Sequence, residues 1–153
     1  MASWQPAVGS WACSVSIEPT DGGPLQKGFV VTEASALPGN VFHSRTVGVG
    51  FDFASDQYDG YSAKKKIWWE TQADSTGATR AFTSANGSEY NQVSSTALVD
   101  DDRSNYRELY TRGSDDTFLL EVRRLKNGTW HFYSSFKCRK PHGESPKPSG
   151  PAS

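Results

Sequence analysis

The sequence predicts an all-β protein, a single antiparallel up-and-down β-barrel of about 8–10 strands, with a sandwich as second choice. Three observations carry this. Apolar residues recur at every second position through one short run after another, the period of a half-buried strand. Tight-turn signals separate the runs, Asn86-Gly87 and Asn127-Gly128 being the strongest hairpin signals in the chain. No window of a dozen residues shows convincing 3.6-residue periodicity, although a short helical turn stays open around 19–26 or 93–104.

The elements follow in order. Trp11, Cys13, Val15 and Ile17 alternate with Ser10, Ala12, Ser14 and Ser16, and the turn cluster at 19–24 ends that strand. A second strand covers 27–35 and stops at Pro38-Gly39-Asn40. A third covers 41–47, with a continuation to Phe53 past Gly48 and Gly50 left open, the two glycines suiting the bend or bulge of a curved sheet. The stretch 54–61 reads as a polar turn carrying two tyrosines. Strand 65–73 sets Ile67, Trp69 and Thr71 on one face and Trp68, Glu70 and Gln72 on the other. Asp74-Ser75-Thr76-Gly77 then turns the chain into strand 78–85. Beyond the acidic run Asp100–Asp102, read as a solvated turn, three strands cover 106–112, 117–125 and 129–138. In the last, Trp130, Phe132, Ser134, Phe136 and Cys138 share a face. The barrel domain is residues 1–140, and the Pro- and Ser-rich 141–153 form a disordered tail.

Composition narrows the function classes. The chain has 153 residues, one domain's worth, and its 16 Lys+Arg against 17 Asp+Glu leave a net charge of −1, which excludes a nucleic-acid binder working through a broad positive field. Its longest apolar stretches are a few residues, too short to span a membrane. Met1-Ala2-Ser3-Trp4 lacks the basic start and apolar run of a secretory leader, so the sequence as it stands reads as cytoplasmic, or as secreted if Met1 replaces a removed leader. Cys13 and Cys138 make no CxxC motif and cannot complete a zinc site alone. Closing the barrel pairs the first strand with the last and brings the two cysteines together, either as buried thiols or as a disulfide closing about 125 residues, worth roughly 5 kcal/mol in the chain-entropy model.

A barrel of this size is filled by side chains or holds one small ligand. Five Trp, six Tyr and eight Phe favour an apolar or aromatic guest. Trp11, Trp69, Phe82, Trp130 and Phe132 are the candidate lining, with Arg80, Arg107 or His43 fixing a polar end. Glu70 points inward only if Trp68, rather than Trp69, does. His131 alternates to the outside. No GxSxG, HExxH, phosphate loop or GxGxxG occurs, and no cofactor or metal is called for. The acid and base candidates of a cofactor-free enzyme, an isomerase, cyclase or lyase, are His43, Glu70 and Tyr106. The expected partner is a small apolar or aromatic molecule, with the protein a monomer or homodimer. Lys64-Lys65-Lys66 before Trp68-Trp69 reads as a solvated hairpin end rather than a nucleic-acid surface.

Gly9-Ser10-Trp11-Ala12-Cys13 resembles the Gly-x-Trp opening of lipocalin-like β-barrels in the calycin superfamily. Gly50-Phe51-Asp52, Trp69, Asp74-Ser75-Thr76-Gly77, Gly87 and the closing Gly128-Thr129-Trp130 to Cys138 are similar to a bacterial lipocalin-like family of uncharacterised function, over roughly residues 9–140. The resemblance implies a barrel with an apolar cavity. Its functional range runs from ligand carriers to haem-binding relatives, for which His43 is the one candidate ligand, and to cofactor-free enzymes. No catalytic set transfers with it.

Overall fold

The computed structural model describes residues 8–19, 22–84, 92–99, 105–114 and 116–141. The Asn86-Gly87 turn, the acidic run at 100–102 and the tail from 142 onward lie outside the described residues.

The described residues form ten strands, in the order β1 (Gly9–Ile17), β2 (Gln26–Leu37), β3 (Val41–Val49), β4 (Ala54–Ser62), β5 (Ile67–Asp74), β6 (Thr79–Ser84), β7 (Gln92–Val99), β8 (Asn105–Ser114), β9 (Thr117–Lys126) and β10 (Thr129–Arg139). They form an all-β, antiparallel, curled sheet in which every strand pairs with its sequence neighbours. β1 pairs along one edge with β2, Cys13 opposite Val30, and along the other with β10, Cys13 opposite Cys138. The sulfurs of Cys13 and Cys138 are 2.06 Å apart, a disulfide spanning 125 positions. Of the two states left open for the cysteines, the structure therefore has the bonded one. No helix of the described residues is long and apolar enough to cross a membrane.

The hairpin chemistry is local. Gly39 and Asn40 both have positive φ (85° and 59°), as do Asn127 and Gly128 (50° and 77°). Two successive left-handed residues match the twist of the flanking strands, and only Gly and Asn reach that region cheaply.

Two differences from the sequence expectation have physical causes. The stretch read as a polar turn is strand β4. It alternates, but its inward residues are Ser55, Gln57 and Asp59, so no apolar period marks it. The third strand stops at Val49, because Gly50 turns the chain with a φ of 82° before Phe51. The Phe51 ring then folds back over Gly28 and Gly48, where an added Cβ would come within 3.2 and 3.1 Å of the ring and, at Gly48, within 2.6 Å of the Phe51 carbonyl oxygen.

Two hydrophobic clusters hold the sheet in its curl. One comprises Trp11, Cys13, Val15, Val30 and Cys138, with Ile17, Phe53, Phe118 and Phe136 against it. The other comprises Trp68, Phe82, Tyr106 and Val122, with Phe42, Tyr61, Tyr110, Leu120, Tyr133 and Phe136 packed on it. Phe136 touches both.

A candidate ligand cavity with a polar wall

The concave face of the sheet encloses a cavity of about 390 Å³. Period-two alternation decides what lines it. β1 contributes Trp11, Cys13 and Ile17, β9 contributes Phe118, Leu120 and Val122, and β10 contributes Phe136 and Cys138, so this wall is mainly apolar, with Thr117 and Ser134 among its residues. The opposite wall is polar: Gln57 and Asp59 from β4, Gln72 and Asp74 from β5, Arg80 from β6, and Glu108 and Tyr110 from β8.

The polar wall is one connected network. The Arg80 guanidinium donates to Gln72 Oε1 at 3.3 Å and to Asp74 Oδ2 at 3.5 Å. Gln72 Nε2 donates to Gln57 Oε1 at 3.4 Å, and Gln57 Nε2 donates to the two Asp59 carboxylate oxygens at 3.1 and 3.2 Å. The Tyr110 hydroxyl donates to Glu108 Oε2 at 3.0 Å. Glu108 is also hydrogen-bonded to Glu70, which is itself 1% exposed. A hydrogen bond between two carboxyl groups requires a proton on one of them.

Burial, more than any other effect, pushes the Glu108 carboxyl up to about 7, with the Asp59 charge adding to the rise and the hydrogen bonds from Tyr110 and Glu70 opposing it. Tyr110 is raised well above its ordinary value, first by burial and then by Glu108, Glu70 and Asp59. It therefore stays a neutral phenol and a hydrogen-bond donor. Rings carry the cations: Arg80 lies 4.9 Å from the Tyr106 ring centroid and Arg124 5.3 Å from that of Tyr133, and the two tyrosines meet edge to face at 5.4 Å. Among the described residues no three His, Cys, Asp or Glu side chains are grouped to hold a metal ion.

The structure brings together only part of the set expected from sequence. Trp11, Arg80, Phe82 and Tyr106 line the cavity, and Glu70 is buried on the same face of β5 as Trp68. Four expected lining residues face away. Trp69 lies outside because Trp68 and Glu70 take the inner face of β5, and its indole rests across Gly60. Trp130 and Phe132 are turned out by a β-bulge between Phe132 and Ser134, which shifts register at Tyr133 and puts Tyr133 in the cavity. Arg107 alternates outward between Tyr106 and Glu108, and its guanidinium lies 4.3 Å above the Trp130 ring. His43, expected at a polar end, as an acid or base, or as a haem ligand, is on the convex face. There it bonds Asp56 at 2.9 Å beside Arg45 and stacks on Tyr58 at 4.7 Å.

Gln57, Asp59, Gln72 and Glu108 went unpredicted. On β8 a signal existed, since Tyr106, Glu108 and Tyr110 recur at period two. On β4 none did.

These features define an all-β protein with a barrel-like curl and an interior cavity. No family model matches the chain, and no curated protein matches it. Among solved structures it is similar to the crystal structure of Rv2717c from M. tuberculosis, with a TM-score of 0.65 at 10% identity over 90% of this chain and 94% of that one. At that identity the likeness is one of fold.

Proposed function

We propose that the chain is a lipocalin-like barrel, closed through β1 and β10, that binds one small molecule with an apolar or aromatic body. The cavity of about 390 Å³ carries this reading, because it falls within the size range of small-molecule sites and offers an apolar wall facing placed polar groups. Closure is supported by the pairing of β1 with both β2 and β10. Titrating a panel of small apolar and aromatic molecules, haem included, while following tryptophan fluorescence tests it, since Trp11 is in the wall. Saturable quenching that is lost in Trp11→Phe is the expected result. Absence of any response across the panel overturns the reading.

A second reading, a cofactor-free isomerase, cyclase or lyase, is favoured by one observation. Glu108, raised to about 7, is poised to exchange a proton near neutrality, with Glu70, Tyr106 and Arg80 around it. In that role Glu108 moves the proton and the Arg80 guanidinium holds developing negative charge. Product analysis of whichever molecules bind, with wild type and Glu108→Gln, separates an enzyme from a carrier. Turnover that survives unchanged in Glu108→Gln removes Glu108 from the reaction.

A further inference from the structure

Neighbouring strands are held together in two different ways. Each pair from β1–β2 to β9–β10 is joined by the chain itself, through the connection between consecutive strands. β1 and β10 are not. They meet over six register pairs, Ala12 opposite Arg139 through Ile17 opposite Ser134, and the Glu18 amide donates to the Tyr133 carbonyl at 2.8 Å. The covalent tie across this seam is the Cys13–Cys138 disulfide, and the chain has no other cysteine. Among the described strands, the seam is therefore where the curled sheet can part without a hairpin being undone. It is also part of the cavity wall. Trp11, Cys13 and Ile17 line the cavity from one side of it, and Ser134, Phe136 and Cys138 from the other. The Trp11 ring reaches over the seam to meet Phe118 of β9 edge to face at 4.9 Å. Both cysteines are buried, at 2% and 5%.

From this arrangement we infer that the disulfide is a redox latch on the ligand cavity: bonded, it holds the seam shut around the bound molecule, and reduced, it lets β1 and β10 part and release it. The inference rests on the binding reading above and adds its regulation. Reduction by a dithiol is a two-electron exchange. The reductant's thiolate attacks one sulfur, the S–S bond breaks, and the departing cysteine takes up a proton. The second thiol then displaces the other cysteine, which leaves two protein thiols and the reductant's own disulfide. Parting the seam breaks only the bonds between β1 and β10 and separates their apolar faces, while every hairpin stays paired, so it is a partial opening rather than global unfolding. A molecule in the cavity touches both sides of the seam and favours the shut form. Linkage makes the effect run both ways: a ligand that prefers the bonded form makes the disulfide harder to reduce by the same factor.

The test uses N-phenyl-1-naphthylamine, a neutral aromatic probe that fluoresces on leaving water, with the full chain oxidised or reduced by dithiothreitol. Reduction should weaken its binding about tenfold, and saturating probe should move the midpoint of the disulfide about 30 mV more negative, the same factor for two electrons. In the reduced chain, amides paired between β1 and β10 should exchange hydrogen about tenfold faster than those paired within the β2–β3 and β4–β5 hairpins. Cys13→Ala with Cys138→Val replaces the reduced chain if circular dichroism shows that chain unfolded. Equal affinity of the two folded forms overturns the inference and leaves the cavity as a binding site. Loss of protection in all strands together also overturns it, making the disulfide a staple of the whole fold. If the oxidised chain binds neither this probe nor any molecule of the panel, the binding reading falls and the latch with it.

Discussion

Glu108 makes the stability of this fold depend on pH in an unusual direction. Its carboxyl rises from 4.5 to about 7 on folding, chiefly by burial. Between those values the folded chain holds a proton that the unfolded chain has lost, so stability falls as pH rises through the interval. Below about pH 4.5 both states are protonated and there is no penalty. Above about pH 7 the penalty is complete, at roughly 3 kcal/mol. From about pH 5 to about pH 8 the wild type should lose 2–3 kcal/mol from this group, roughly 8 °C in Tm for a chain of this length. Glu108→Gln keeps the shape, the acceptor for Tyr110 and a donor toward Glu70, but does not titrate. Urea melts of both proteins at several pH values give the difference in slope directly, and groups that do not interact with Glu108 cancel in the comparison. Parallel slopes, or a wild type that gains stability relative to the variant as pH rises, would falsify the assignment of a buried, proton-holding Glu108.

Reducing the Cys13–Cys138 disulfide frees a loop of 125 positions in the unfolded chain. The expected cost is about 3–5 kcal/mol, roughly 10–15 °C in Tm, together with a larger urea m-value; a shift below about 3 °C by scanning calorimetry counts against it. Phe82→Ala removes a ring that is 1% exposed between Trp68, Tyr106 and Val122, and should cost about 3 kcal/mol in urea melts, the low end for such a truncation because part of its wall already borders open space. Gly60→Ala sets a methyl group into the Trp69 indole and should cost about 1–3 kcal/mol. Adding Trp69→Leu should recover part of that loss, and equal stability of the single and double variants would show that the indole is not the obstacle.

Much of the fold was legible because its signals are local. The alternation of Trp11, Cys13, Val15 and Ile17 fixes the inner face of β1, and Asn127-Gly128 fixes the last hairpin. The site was legible only where apolar period and inward face coincide, as at Trp11 and Phe82. β5 offers two aromatic residues in succession, and no local rule says which turns in; the burial of Glu70 with Trp68 is a tertiary choice. On β10 the register shifts at a single residue, Tyr133, and a one-residue slip exchanges the faces of a strand. Trp130 and Phe132 therefore went outside although their spacing from Phe136 and Cys138 is regular. The polar wall was hidden for a related reason: hydrophobic periodicity cannot mark a strand whose buried face is Ser55, Gln57 and Asp59.

That same strand bears on how the chain reaches its native state. β4 turns Ser55, Gln57 and Asp59 inward and Asp56 and a 43% exposed Tyr58 outward, so collapse gives it little reason to leave water. Its pairing can be rewarded only once β3 and β5 already stand at the right spacing and Gln72 is there to meet Gln57. The apolar strands around the disulfide are then expected to form first and β4 last, so that substitutions in β4 should change the rate of unfolding more than the rate of folding.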